Sequence, residues 1–278
     1  MLDPVIEFFS RTFYLIGRGI GQLVAWLLWP FAKLYAFYRS TGFIWKTLIG
    51  VTVAGILVAY SWLGYNAVVL PGYNPEFVEA YDLSDRKISA GEVVSSSSTG
   101  STRTCGRSAI VDVAADLIDF NVNQNAWISS MLTYKSGFFG LDWDSTPFLD
   151  NKASFQRGIH SAVQRISVEL VDSLGRVRGT SQIDPDLREA RGQINYDMSS
   201  WYFGISPLGF KQSSPSAYRV GMEKLRSFND RLVKCEATFD ARADNLSTFV
   251  DAITSQIGST SAKLDERSKS SNLGWFDT

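Results

Sequence analysis

From Thr47 to Pro75 the chain carries no charged side chain, and the stretch TLIGVTVAGILVAYSWLGYNAVVL ends at Pro71-Gly72. About 20 mostly apolar residues in a helix cross the roughly 30 Å hydrocarbon of a bilayer, so residues 47–70 read as a transmembrane helix. Trp45, Tyr60, Trp62 and Tyr65 sit toward its two ends, where aromatic rings gather at membrane–water boundaries. A buried core helix does not need such uncharged length. A cleaved signal peptide would have a shorter apolar region and a small-residue cleavage site, which is lacking after Leu70. Arg11, Arg18, Lys33, Arg39 and Lys46 precede the span against only Asp3 and Glu7. The positive-inside rule therefore places residues 1–46 in the cytoplasm and everything after Pro71 across the membrane.

Residues 1–46 form an aromatic and basic region in which Phe13, Ile16, Ile20, Leu23 and Leu27 recur at spacings of three and four. Arg11, Arg18 and Gln22 fall largely on another face, the pattern of a helix lying in the interface. The rival reading is a first crossing, with Arg18 and Lys33 snorkelling to the two surfaces, which makes a helical hairpin and moves the N-terminus outside. Gly17 with Gly21, and Gly50 with Ala54, have small-xxx-small spacing for close helix contact.

Beyond the span, residues 71–107 are polar and include the run SSSSTGST, too poor in apolar surface to offset the entropy of ordering, so they read as a linker. Helical patterns fill residues 108–278. Ser108 can cap a helix over 108–134 that carries Ile110, Val113, Leu117 and Phe120 on one side. In residues 152–174, Phe155, Ile159, Val163, Ile166, Leu170 and Leu174 make an amphipathic stripe, and Gly175 supplies a stop. Asp184-Pro185 is a cap followed by proline at the first helical position, predicting a helix to about Met198. Ser214-Pro215 repeats the device and opens the longest pattern, which is either one helix of about 50 residues or two broken near Asp240 to Asn245. Residues 176–183 and 202–212 hold short apolar pieces with Gly and Pro and read as connections rather than a sheet.

The two cysteines, Cys105 and Cys235, both follow the span, and an even pair in an oxidising compartment is a candidate disulfide. The alternative is two separate buried thiols. His160 is the single histidine, which excludes multi-histidine metal sites and points to a satisfied or surface residue rather than a catalytic one. No phosphate loop, dinucleotide fingerprint or CxxC pair is present, so no cofactor and no metal is expected. The net charge of −1 and the absence of a continuous basic face set nucleic acid aside. The most site-like cluster is Phe138-Phe139-Gly140-Leu141-Asp142-Trp143-Asp144-Ser145. Asp142 and Asp144 among aromatic rings are weak candidates for acid–base glycoside hydrolysis, with Glu169 as a further carboxylate. Aspartates two apart in a loop more often cap a helix or face water.

At Asp184-Pro185-Asp186-Leu187, Ser200-Trp201, Ser214 to Tyr218 and Ala241-Arg242-Ala243-Asp244-Asn245-Leu246, the chain resembles a proteobacterial family of inner-membrane proteins known only as a domain of unknown function. The resemblance covers about residues 108–264 and the plan of one N-terminal anchor. It implies no activity, ligand or catalytic residue, and it extends neither to the long aromatic N-terminal region nor to the cysteine pair. Arg242, Asp244 and Asn245 lie within about a turn and a half of helix. They read as an ion-pair network locking helices together with Asp184 or Asp186, or as a partner-binding patch. Trp201 reads as a packing anchor.

The expected fold is mainly α: an N-terminal interfacial or membrane helix and one transmembrane helix, then an extracytoplasmic antiparallel helical bundle with a long C-terminal helix. The expected function is a non-enzymatic scaffold, assembly or regulatory component of the cell envelope. Its partners are the lipid bilayer and either an envelope protein or a second copy. The alternatives are a lipid or small-ligand binding module in a groove between helices and a cell-wall glycan hydrolase using loop carboxylates.

Overall fold

The computed structural model describes residues 21–22, 25–26, 28–30, 32–33, 35–81, 90, 93–94, 104–137, 141–143, 150–175, 183–205, 208–240 and 242–270. Phe13, Ile16, Ile20, Leu23, Leu27, Gly17, Arg11 and Arg18 lie outside them, as do the serine run, Phe138 to Gly140 and Asp144. The chain divides into two units, Met1–Ala59 and Tyr60–Thr278.

The uncharged stretch folds as helix α1, Phe43–Val68, the one helix among the described residues that is long and apolar enough to cross a membrane. Two of its hydroxyls, those of Thr47 and Thr52, bond backbone carbonyls inside the helix. Thr47 Oγ1 donates to Phe43 O at 3.1 Å and Thr52 Oγ1 to Leu48 O at 2.9 Å. In the first unit, residues 35–40 are helical, and Tyr35 and Tyr38 share an apolar groove with Ile49, Gly50, Val53, Ala54 and Leu57. Among the described residues, a Cβ on Gly50 or Gly21 would meet nothing within 4 Å.

The second unit is an antiparallel bundle of four main helices: α2 (Ala109–Asp119), α4 (Asp150–Glu169), α5 (Pro185–Ile194) and α6 (Ser214–Val233). The short helix α3 is Leu132–Lys135, and α7 is Ala243–Ser270. Cross-helix bonds fix the directions. Ser108 meets Asn229 while Asp116 meets Arg226, and His160 meets Ile194 while Asp172 meets Arg191. Ion pairs of Lys224 with Glu189 and Arg231 with Asp184 run α5 against α6 in the same antiparallel sense. Close approach there requires Gly221, where a Cβ would stand 2.7 Å from Ile194 Cγ1. Val111, Ile118, Val163, Leu170, Leu187, Ile194, Tyr218, Leu225 and Phe228 fill the shared core.

Several expectations are corrected. The first bundle helix does not reach residue 134. After a π turn at Phe120–Gln124 it gives way to a 3-10 turn at Ile128–Ser130 and to α3, where buried Asn125 donates back to Phe120 O and buried Asn121 donates to Gln156 O on α4. The buried face of α4 is rotated by one residue from the apolar stripe. Gln156, His160, Val163 and Ser167 are inside, while Phe155 is 41% exposed and rests its ring near Phe120 and Tyr73. The cap of α6 is Ser213, not Ser214, since the Ser214 hydroxyl donates to Asp197 O at 2.6 Å and accepts from Ser200 N. Helix α5 stops at Ile194 rather than Met198. Residues 203–210 are not a plain connection but an antiparallel hairpin, β3 (Phe203–Ile205) with β4 (Leu208–Phe210). Inside the expected linker, β1 (Val93–Val94) pairs with β2 (Thr104–Cys105).

The longest pattern is two helices, separated after Val233. Cys235 adopts φ 61 there, and its N–H bonds Leu232 O while the Glu236 N–H bonds Arg231 O, the two-bond stop usually built on glycine. Cys235 is disulfide-bonded to Cys105, with Cα atoms 5.4 Å apart. Beside that bridge, Asn229 is fully buried, accepting from Ser108 N at 2.8 Å and donating to Ser108 O at 3.0 Å.

His160 is 1% exposed, bonds Ile194 O through Nε2 at 2.8 Å, and packs on Tyr218 with ring centroids 3.8 Å apart. Burial pushes its pKa down from 6.5 to about 4.

Two predictions follow from these buried groups. Asn229→Ala strands the buried N–H of Ser108, whose carbonyl keeps the Asp112 N–H, and should lower unfolding stability by about 2 kcal/mol, whereas Asp230→Ala, at the exposed ion pair with Arg107, should cost under about 1. Urea titration of both variants checks this. For His160, the folded pKa lies below the unfolded one, so between the two the unfolded chain binds more protons. The stability this group holds above pH 6.5 is therefore lost as pH falls toward 4, by about 3 kcal/mol in total. His160→Gln should flatten that dependence in melts taken from pH 7 to pH 4.

Candidate functional site

The last turns of α1 belong to the second unit and are built into it. Leu63 is fully buried in a small core with Ile128, Trp143 and Ala153, edged by Tyr60, Met131 and Tyr134. Tyr60 donates its hydroxyl to Gly137 O at 2.9 Å and stands 6.3 Å from the Trp143 ring. The carbonyls that a helix leaves unpaired at its C-terminal end need partners. Val69 O accepts from Lys152 Nζ at 2.5 Å, and Pro71 O accepts from Asn125 Nδ2 at 2.8 Å.

Lys152 is only 6% exposed, and burial lowers its pKa. The partial negative charge of the α1 terminus faces this ammonium, which is what a buried cation requires. Gln156, fully buried one turn later, accepts from Ile128 N at 3.2 Å and donates to Asn121 O and Ala126 O at 3.2 and 3.0 Å. Gly72, at φ 71, completes the exit, since a Cβ there would strike the Gln124 side chain. Sequence reasoning missed Lys152 and Gln156. The available signal was polar residues recurring with His160 at spacings of four, one position off the apolar stripe.

Next to this junction opens a cleft of about 420 Å³ lined by Ser129, Tyr134, Lys135, Asp142, Trp143, Arg157, Met198 and Ser199. Two cations and one carboxylate share it. Lys135 Nζ donates to Ser199 O at 2.7 Å, and Arg157 donates to Ala153 O at 3.3 Å and to the Tyr134 hydroxyl at 3.4 Å. Trp143 is 9% exposed and donates its indole N–H to Thr133 O. Ser129 is 5% exposed, and its buried hydroxyl has no hydrogen-bond partner among the described residues.

The sequence candidates thus separate. Asp142 is exposed in the cleft, while Asp144 lies outside the described residues, so the described cleft holds one carboxylate where a glycosidase needs two at a set distance. Glu169 is buried elsewhere on α4, paired with Arg165 at 2.9 Å. Asp184 and Asp186 do not pair with Arg242. Arg231 reaches both, at 2.6 and 2.7 Å, and Ser227 and Lys224 also contact Asp186. Arg242 pairs instead with Asp240, to whose carbonyl Asn245 donates, because the break after α6 carries this segment onto Leu174 O through Asp240 N. Asp244 lies in the first turn of α7, and Trp201 is half-buried beside the hairpin. Among the described residues no cluster of metal-ligating side chains occurs.

No curated protein and no solved structure matches the chain. A family model described as "Uncharacterized protein conserved in bacteria (DUF2333)" matches residues 118–274. That span holds every residue lining the cleft and leaves out α1 and Cys105. With more than half of its length matched, and with the four segments that resemble such a family lying within or beside the bundle, the chain belongs to DUF2333, a bacterial family of uncharacterized proteins.

Proposed function

We propose that the protein is a non-enzymatic scaffold of the bacterial envelope: α1 anchors it in the inner membrane, the bundle stands on the periplasmic side, and α7 engages a partner helix. The single observation that carries the partner role is the outer part of α7. Val250, Ile257 and Leu264 are 57%, 65% and 64% exposed at intervals of seven residues, with Leu246 and Ile253 interleaved at the alternate seam positions. A seven-residue apolar repeat is the geometry of a helix seated against another helix, and β-branched Val and Ile at the first seam position favour two strands. Among the described residues, neither α4 nor the π turn that follows it at Leu170–Leu174, against which α7 packs, covers these side chains.

The outward orientation is supported by the excess of Lys and Arg before α1 and by the Cys105–Cys235 bridge, since disulfides persist in oxidising compartments and are rare in the cytosol. Closing so long a loop stabilises the fold by up to about 5 kcal/mol in the chain-entropy treatment.

Two outcomes are expected in cells. A photo-crosslinker at Ile257 should trap one stoichiometric species, an envelope protein or a second copy, and Leu264→Asp should abolish the product. A crosslinker giving only diffuse background would count against the scaffold reading. Both cysteines should resist a thiol reagent in the unreduced full-length protein and react after denaturing reduction. Reaction before reduction would contradict the periplasmic placement.

A further inference from the structure

The cleft beside Tyr60 is not used by the scaffold reading, and its lining is charged. Lys135 and Arg157 bring two cations to one opening, Asp142 brings a carboxylate, and the Ser129 hydroxyl is buried without a partner. A native structure rarely leaves a buried hydroxyl unsatisfied, and an absent ligand or ion is among the ordinary reasons. Serine hydroxyls swing among three staggered rotamers, so a ligand entering the cleft can supply the missing bond.

Position narrows the ligand. Tyr60, Trp62 and Tyr65 ring the end of α1, the level at which aromatic side chains meet headgroups. The cleft's Trp143 stands 6.3 Å from the Tyr60 ring, which places the opening at that same depth. Leu132 and Leu141, 51% and 62% exposed, belong to the same short segments as the lining residues Lys135 and Asp142 and present apolar side chains to the surroundings.

We propose that this cleft binds the headgroup of a phospholipid from the bilayer that α1 crosses, and that the headgroup is phosphoethanolamine. Its phosphodiester takes Lys135, Arg157 and the Ser129 hydroxyl, since charge-assisted bonds to phosphate are the strong ones. Its ammonium takes Asp142, with the Trp143 ring as a further attraction for a cation. The acyl chains leave over Leu132 and Leu141. A phosphoglycerol headgroup offers the phosphate without the ammonium and leaves Asp142 facing an anion. This inference rests on the membrane anchorage of α1 and is independent of the seam on α7.

The test is native mass spectrometry of the full-length protein in an uncharged detergent, titrated separately with phosphatidylethanolamine, phosphatidylglycerol and inorganic phosphate. One phosphatidylethanolamine should bind per chain, at least tenfold more tightly than phosphatidylglycerol. Ser129→Ala and Lys135→Gln should each weaken it at least fivefold while leaving the lipid-free melting temperature unchanged or higher. Asp142→Asn should bring the two lipids to within about threefold of each other. Equal binding of the two lipids to the unaltered protein overturns the headgroup assignment. Phosphatidylethanolamine adducts indifferent to all three substitutions overturn the cleft, and saturation by inorganic phosphate alone identifies a free-anion site instead. If carbonate extraction releases the protein from membranes, the anchor itself is wrong and the proposal falls with it. An anchored protein with no adduct overturns the cleft alone.

Discussion

The carbonyls just past the end of α1 need partners as the helix gives way to irregular backbone, and two of them find those partners in the bundle. Lys152 from α4 reaches Val69 O, and Asn125 from the break after α2 reaches Pro71 O. Leu63 adds a fully buried side chain to the same junction. An ammonium this deeply buried would be costly alone, and the negative end of a helix dipole is a compensating neighbour that needs no carboxylate. The end of the apolar helix is therefore part of the domain's own packing. Residues 60–72 are not a flexible tether leading to a separate body.

The rest of the second unit follows from that seat. Around the break between Gln124 and Ile128, the Asn121 and Gln156 amides each bond the other's backbone carbonyl, Gln156 also reaches Ala126 O, and Asn125 reaches Phe120 O, while α3 and Trp143 flank Tyr60. That flank carries the charged cleft. At the other end of α2, Asn229 and the Cys105–Cys235 bridge tie the start of the bundle to the end of α6. Beyond the bridge the chain turns at Asp240, and α7 runs on with its seam exposed.

How legible was this in the sequence? Local chemistry read well. Asp184-Pro185 opens α5 as its residue types require, and the Asp184 carboxylate accepts from Asp186 N and Leu187 N. Ser108 caps α2, and the uncharged stretch is a helix within a few residues of the expected bounds. Features set by distant partners did not read. Ser213 and Ser214 can each cap a helix, and only the pull of Asp197 O and Ser200 on Ser214 decides between them. Phe155 looks like core and Gln156 does not, yet the glutamine amide serves three backbone groups that no local pattern announces. The sequence leaves Arg242 free to pair with Asp184 or Asp186, but Arg231 on α6 takes both carboxylates. In the candidate site, Asp142 and Trp143 were visible as a cluster, while Ser129, Lys135 and Arg157 are joined to them only by the fold.

The central claim, that the end of α1 is a structural part of the bundle, is tested most directly by comparing Leu63→Ala with Leu57→Ala in the full-length protein. Both substitutions remove the same atoms from the same helix, but Leu63 is fully buried and Leu57 is 62% exposed. Denaturant titration in mild detergent, followed by the near-ultraviolet signal of the bundle's aromatic residues, reads the stability of the domain. Leu63→Ala should lower it by about 3 kcal/mol, the cost of a cavity at a packed site, while Leu57→Ala leaves the transition where it was. Coincident transitions for the two variants would contradict the claim and make α1 a tether after all.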